Sequence, residues 1–220
     1  MDHETTSAAE LPEPVAGWLC LDVVNAVDGR DDDTVHTYAD LVGWVARAGG
    51  LSPEDADGLL AAAAADPAGA ATEVARVKVL LRAAFDVFHG LATGSRADAA
   101  ALAAIQEVHA DALAHGRLEP TDGTFRWTWG PDLRLPRWLV ARSAVELVTA
   151  GPLGRVKVCA SEEGCQYLFV DTTKNNSRRW CSMADCGNTA KARRLTEQRR
   201  ARRARSGGPA AVESPARAVP

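Results

Sequence analysis

The chain has 220 residues, of which 46% are apolar and 25% charged, which is average for a folded soluble protein and excludes global disorder. No apolar run approaches the roughly 20 residues needed to cross a bilayer. The net charge of −4 is unevenly distributed along the chain. Residues 1–150 hold 11 basic and 23 acidic side chains, whereas residues 151–220 hold 14 basic and 6 acidic ones. Contact with a polyanion is therefore expected at the C-terminal end.

An acidic leader, residues 1–14, comes first and is expected to be disordered. It lacks the basic start and the apolar core of a secretion signal. The chain is therefore expected to stay in the reducing cytoplasm. There its five cysteines are better explained as thiols or metal ligands than as disulfides.

A helix-dominated α+β domain with a few short strands is predicted over residues 15–150. Residues 18–25 are apolar and β-branched, which favours a strand or a buried turn. Thr34 or Thr37 is expected to cap a first helix that ends near Ala48, and Ser52 a second that ends at residues 66–67.

Three longer helices are predicted next, over residues 72–91, 96–115 and 136–149. In the first of them, apolar residues recur at a clear spacing of three and four residues. Residues 125–129 alternate after a Thr-Asp-Gly turn, which predicts a hairpin with Leu118 and its neighbours. Glycine and proline at residues 151–154 indicate the end of the domain.

Two polar residues of this domain, Asp22 and Asn25, are candidates to line a ligand pocket. The alternative, which we favour, is that they bond backbone groups where a strand meets a loop. The domain has no glycine-rich phosphate loop, nucleophile elbow or paired-histidine motif. The chain is therefore not expected to be an enzyme.

Four cysteines in the last third carry the predicted chemistry: Cys159, Cys165, Cys181 and Cys186. Two close pairs separated by a span long enough for a hairpin suit tetrahedral Zn²⁺, because each short loop places two thiolates on one side of the metal. Strands at residues 156–158 and 167–171, followed by a helix from Cys186, give residues 155–205 a treble-clef-like plan. The segment has few apolar residues, so structural Zn²⁺ would supply the free energy that a core cannot.

Three stretches around these cysteines closely resemble the CGNR zinc finger: YLFVD at 167–171, SRRWCSM at 177–183 and CGNTAKARR at 186–194. The resemblance departs from the family at Thr189, where the family name has arginine.

The domain before the finger is also similar to a known one. Residues 19–25 and the helix that carries Arg82 resemble the ABATE domain, which precedes the finger in that family and is described as a putative stress-induced transcription regulator. The resemblance covers roughly residues 15–200 and implies a bacterial DNA-binding regulator with structural zinc. Arg82 thereby becomes a third candidate for the ligand pocket, whose effector is unknown.

The basic character of the finger is concentrated in residues 174–205, which hold 11 basic and 2 acidic side chains. Most of these cations are expected to contact phosphate, which positions a protein on DNA without specifying a sequence. One finger buries too little surface for high specificity, so a homodimer formed through the acidic body is a further hypothesis. The expected nucleic-acid contacts are Arg178, Arg179, Asn188, Lys191, Arg193 and Arg194.

Several alternatives remain open from the sequence. The four cysteines could pack unligated in a core, whereas a catalytic zinc is disfavoured because four thiolates leave no open position. The finger could bind RNA, or act as a protein-interaction module whose arginines grip an acidic partner. Zinc thiolates can also be oxidised, which would suit a redox sensor. The tail, residues 206–220, is rich in glycine, proline and alanine and is expected to be disordered.

Overall fold

The computed structural model describes residues 13–28 and 33–206, so most of the predicted leader and the predicted tail beyond residue 206 lie outside the described residues. The described chain contains seven α-helices and two antiparallel two-stranded sheets, and none of those helices is long and apolar enough to span a membrane. The helices are α1 (Leu19–Asp28), α2 (Tyr38–Arg47), α3 (Pro53–Ala65), α4 (Pro67–Ala92), α5 (Ala99–His115), α6 (Leu135–Thr149) and α7 (Asn188–Ser206). The strands are β1 (Arg117–Thr121), β2 (Thr124–Thr128), β3 (Val156–Val158) and β4 (Leu168–Val170).

The predicted α+β class is confirmed, but the first predicted element is wrong. Of residues 18–25, expected as a strand or a buried turn, all but Trp18 belong to α1. Cys20, Leu21, Val23 and Val24 are all completely buried. Apolar residues lie on nearly every side of this short helix. Its sequence therefore lacks the apolar spacing of three and four residues that distinguishes a helix from a buried strand. Packing against the other helices outweighs the β preference of its valines.

Helix starts follow the capping residues closely. Thr37 and Ser52 each form a capping box with an aspartate three residues further on. Asp66 ends α3 and also caps α4, because its carboxylate accepts a 2.9 Å hydrogen bond from the Gly69 N–H. Pro67 fits the first turn of a helix, where no N–H donor is needed, so α4 starts there rather than at the predicted residue 72.

The 26-residue helix α4 lies at the centre of the fold, in contact with α1, α2, α3, α5 and α6. Its predicted apolar stripe is confirmed, because Val77, Leu81, Ala84 and Phe88 are all completely buried. The strands β3 and β4 pack on α4 as well, and β4 also packs on α1. The C-terminal segment therefore continues the core of the helical domain.

The predicted hairpin is also present, as β1 and β2. Leu118 pairs with Trp127, and the turn is made by Asp122 and Gly123 with φ angles of 24° and 82°. Positive φ at both positions suits the Asp-Gly pair, since glycine and aspartate tolerate this region best. Most residues of the hairpin are exposed, so it stands at the surface of the domain.

A buried ion pair joins α4 to α6. The Nε of Arg137 donates a 2.8 Å hydrogen bond to Oε2 of Glu73, and the two side chains are 10% and 5% exposed. Arg76 donates to the other carboxylate oxygen at 2.9 Å. Charges withdrawn from water are tolerated only when they are paired in this way.

Replacing Glu73 with alanine is expected to lower the free energy of unfolding by about 3 kcal/mol, because the Arg137 guanidinium is then left buried without a counter-charge. Urea denaturation of the zinc-loaded protein measures the change. Glu107→Ala, at an exposed position of α5, is the control and should stay within about 0.5 kcal/mol. Similar losses in both variants would mean that the ion pair contributes nothing particular.

Candidate metal centre and nucleic-acid interface

The first cysteine pair, Cys159 and Cys165, is positioned by the β3–β4 sheet. Cys159 directly follows β3, and its N–H donates a 2.9 Å hydrogen bond to the carbonyl of Tyr167, just before β4. The loop between the two cysteines reverses through Gly164, whose φ of 83° is readily adopted only by glycine. Both thiols thereby lie at the same end of the sheet.

The second cysteine pair, Cys181 and Cys186, lies at the start of α7. Cys186 belongs to a single π-helical turn, Met183–Gly187, that leads directly into that helix. A Cβ atom on Gly187 would lie 2.7 Å from the Met183 sulfur. A larger residue there would have to displace the exposed Met183 side chain, and the turn fixes the first residues of α7 to the cysteine cluster.

The four sulfur atoms converge on one point. All four Sγ atoms lie within 4.8 Å of one another, and the Sγ of Cys181 is 3.7 Å from those of Cys165 and Cys186. A tetrahedron of sulfur ligands about 2.3 Å from Zn²⁺ has edges of about 3.8 Å. The four cysteines are 2–7% exposed, so they are positioned to bind a structural zinc ion with no coordination position left for water.

The surroundings of these thiols oppose their ionisation, so a bound cation is needed to hold them as thiolates. Burial, and then the neighbouring thiols of Cys159 and Cys165, raises the pKa of Cys186 to about 11. Hydrogen bonds with Cys159 and Cys165, together with burial, raise the pKa of Cys181 further. Zinc binding must therefore displace protons, so zinc affinity falls as the pH falls.

Asp171 organises the loop that joins the two cysteine pairs. Its carboxylate is completely buried and accepts hydrogen bonds from Lys157 Nζ (2.6 Å), from the Arg178 N–H (2.8 Å) and from the N–H and hydroxyl of Thr173 (2.8 and 2.6 Å). Burial opposes ionisation, but these donors outweigh it and hold the pKa of Asp171 well below its usual range. The ionised carboxylate thereby ties β3 to the loop after β4.

Arg178, one of the expected nucleic-acid contacts, has its guanidinium engaged within the protein. It donates to the backbone carbonyls of Trp180 (3.0 Å) and Cys181, and to that of Val15 (2.7 Å) in the segment before α1. Its Cζ atom also lies 4.3 Å from the centroid of the Phe169 ring. These bonds occupy its Nε and Nη2 donors. Arg178 holds the second cysteine pair against the rest of the fold.

Two family models match the chain. Residues 155–203, which include all four clustered cysteines, match the CGNR zinc finger. Residues 17–151, more than half of the chain, match the ABATE model, described as a putative stress-induced transcription regulator. The chain belongs to the ABATE family. Its C-terminal segment is a CGNR zinc finger, and no curated protein matches the chain.

The predicted pocket residues of the ABATE domain bond elsewhere. The amide of Asn25 donates to the carbonyl of Leu168 (2.9 Å) and accepts from its N–H (2.8 Å), which joins α1 to β4 of the zinc finger. Asp22 accepts two 2.8 Å bonds from backbone N–H groups just before α1. Both residues therefore bond backbone groups, as the favoured alternative expected, although from a helix. Arg82 lies on α4 with its side chain 65% exposed and its Nε 3.8 Å from Asp86.

The remaining predicted nucleic-acid contacts lie on the outside of the zinc finger. Asn188, Lys191 and Arg194 are exposed on the first turns of α7. Arg179 is also exposed, and its Cζ lies 5.2 Å from the Trp180 ring centroid.

Arg193 differs from these residues because acidic side chains of the finger already pair with it. It bonds Glu162 at 2.7 Å and Glu197 at 3.2 Å. Thr189, which departs from the arginine in the family's name, lines a small cleft of about 100 Å³ together with Arg179 and Arg194. The sequence therefore identified an exposed cationic surface but not the pairing within it.

Sequence reasoning missed the roles of Asp171 and Lys157. A weak signal was present, because a single charged residue stands inside or directly after each of the two apolar strands, VKV and LFVD. Charged groups at such positions are commonly paired when they are buried. The identity of the partner, however, depends on the register of the two strands.

The purified chain is expected to hold one zinc ion, and Cys165→Ser is expected to lose most of it because only three thiolates remain. Elemental analysis before and after competition with a chelator measures this loss. Cys20→Ala is the matched control. Cys20 is completely buried in α1 and does not belong to the group of four clustered cysteines, so it is not a ligand. Equal zinc loss in the two variants would contradict the assignment.

Arg178→Ala is expected to lower the free energy of unfolding by about 3 kcal/mol, because several backbone carbonyls lose a charged donor. Arg179→Ala, one residue further on and exposed, should change it by less than about 0.5 kcal/mol. Urea denaturation of both zinc-loaded variants separates the two roles. Equal free energies of unfolding for the two variants would contradict a structural role for Arg178.

Proposed function

We propose that the protein is a zinc-dependent, DNA-binding transcription regulator without enzymatic activity. The CGNR zinc finger contacts DNA, and the ABATE domain senses a ligand or forms a dimer. The position of α7 carries this proposal. Its first turns are held by the cysteine cluster through Cys186, while every residue from 191 to 203 is exposed. A rigidly mounted, exposed basic helix is a common means of reaching the DNA backbone or major groove.

The cations of α7 that lack internal partners support the same proposal. Among the described residues, Lys191, Arg194, Arg199 and Arg200 have no ion-pair partner, whereas Arg193 is paired with Glu162 and Glu197. A phosphate can approach an unpaired cation without displacing an existing counter-charge. These residues are therefore expected to contribute most to DNA affinity.

A compact part of this surface lies beside the zinc centre. Arg179 and Arg194 line the same small cleft, and Lys191 is three residues from Arg194 on α7 and so shares its side of the helix. We propose Arg179, Asn188, Lys191 and Arg194 as the contact set. Phosphate contacts of this kind position the protein, and a second finger in a homodimer would add the specificity that one lacks.

The double variant Arg179→Ala with Arg194→Ala tests this proposal. If both side chains contact phosphates, the slope of log affinity against log salt concentration for a random-sequence DNA duplex should flatten by about 2. Fluorescence anisotropy over a salt series measures the slope. The matched control is Arg82→Ala with Arg96→Ala, which removes two exposed cations from the ABATE domain and should leave the slope unchanged.

Four outcomes would overturn the proposal. Equal slopes for the two double variants would place the contact elsewhere. Retention of DNA binding after zinc removal would make the zinc unnecessary. Tighter binding of an RNA of the same length would favour an RNA-binding module instead, and failure to retain any nucleic acid would favour a protein-interaction module.

A further inference from the structure

A second, larger cleft is lined only by residues of the ABATE domain. It is an open cleft bounded by the β1–β2 hairpin, by the start of α3 and by α6, with a volume of about 820 Å³. That volume is within the range of pockets that hold small organic molecules, which is about 300–1,000 Å³. The cysteine cluster, the expected DNA contacts and the candidates Asp22, Asn25 and Arg82 contribute nothing to its lining.

One side of the cleft is apolar and aromatic and is already in place. Leu51 and Leu135 are 9% and 6% exposed and line it together with Trp129. The indole N–H of Trp129 donates a 2.8 Å hydrogen bond to the carbonyl of Ala112, which fixes the orientation of the ring. The Trp127 ring is stacked beside it, with the ring centroids 6.3 Å apart. A planar molecule would therefore meet a rigid aromatic surface.

A glycine is needed for this aromatic surface to form. A Cβ atom at Gly116 would lie 2.8 Å from ring atoms of both Trp127 and Trp129. The two indoles therefore pack directly against the backbone where α5 passes into β1. The pocket wall is thus built into the fold and does not rely on a mobile side chain.

Three arginines also line the cleft. Arg117 and Arg126 are diagonal neighbours on one face of the hairpin, a placement that puts their Cβ atoms about 7–8 Å apart. Within the described part of the chain, neither guanidinium has an ion-pair or hydrogen-bond partner. Arg142, on α6, bonds Glu146 at 2.7 Å and has its Cζ 5.8 Å from the Trp129 ring centroid.

This concentration of cations is unusual for the domain in which it occurs. Residues 1–150 hold 11 basic and 23 acidic side chains, yet three of those 11 cations line one cleft. The lining also includes two carboxylates. Asp55 is already bonded to the Ser52 hydroxyl at 2.6 Å in a helix cap. Glu119 lies directly opposite Arg126 in the hairpin but, among the described residues, forms no ion pair with either arginine. Two unpaired guanidinium groups above an apolar floor favour an anion that carries an apolar body.

We propose that this cleft binds a small aromatic carboxylic acid. Its ring packs on Trp129 and the leucine floor, and its carboxylate lies between Arg117 and Arg126. A phosphate ion alone would leave the floor uncovered, and a neutral aromatic molecule would leave the guanidinium groups without a counter-charge. That such an acid is the effector of a DNA-binding regulator rests on the proposed function, whereas the binding itself does not.

Titration of the zinc-loaded full-length chain with 2-naphthoate and with indole-3-acetate tests the site. The six tryptophans give six indole N–H signals in a ¹⁵N-correlated NMR spectrum, and Trp127→Phe identifies the signal of that residue. Both acids are expected to shift the Trp127 and Trp129 signals saturably. The neutral analogue 2-naphthamide is expected to bind about tenfold more weakly, because it lacks the charge that the arginines complement.

Substitutions distinguish this cleft from other cationic surfaces. Arg117→Gln and Arg126→Gln should each weaken 2-naphthoate binding about tenfold. Arg96→Gln, at an exposed arginine outside the cleft, is the matched control and should have no effect. Arg82→Gln should also have no effect, and a loss of binding in that variant would move the ligand to the pocket expected from the family resemblance.

The inference is overturned if neither acid shifts the Trp127 and Trp129 signals at about 5 mM, a concentration that detects even weak sites. Equal binding of the acid and the amide would also overturn it, as would equal binding to Arg126→Gln and Arg96→Gln. No DNA is present in these measurements. A negative result for the cleft therefore does not affect the proposal that α7 binds DNA. Absence of DNA binding likewise does not affect the result for the cleft.

Discussion

The convergence of four cysteine sulfurs is the constraint on which the C-terminal part of the protein depends. The strands β3 and β4 have three residues each, and α7 exposes every residue from 191 to 203. Apolar burial within this segment is too small to order it. Metal–sulfur bonds supply that order, as in other small zinc-stabilised segments. Asp171 and Arg178 order the chain around the cysteines, because each forms hydrogen bonds with several backbone groups there.

The zinc finger and the ABATE domain share one continuous core. Leu168 and Phe169 are completely buried, and β4 packs on both α1 and α4. Asn25 and Arg178 add polar bonds across the same boundary. Because a ligand that binds only the folded state stabilises everything folded cooperatively with its site, zinc is expected to stabilise the helical domain as well as the finger.

Local signals predicted much of this structure. The caps at Thr37 and Ser52 fixed two helix starts, the Asp-Gly turn fixed the hairpin, and the spacing of the four cysteines identified the metal centre. Other features depend on residues far apart in the chain. Helix α1 is buried on nearly every side, so its pattern could not distinguish helix from strand. Arg178 bonds a carbonyl 163 residues away, and no local pattern reveals such a partner.

The pairing of Asn25 with Leu168 also limits how this finger can be reused. The side-chain amide satisfies both backbone groups of one residue of β4, as an adjacent strand would. A fragment beginning at residue 155 would lose that amide and the Val15 carbonyl, one of those that Arg178 bonds. Fingers that fold independently can be moved between proteins as units, whereas this one shares these bonds with the segment before α1 and with α1 itself. Redesign of its target preference would have to replace individual side chains of α7 on the intact scaffold.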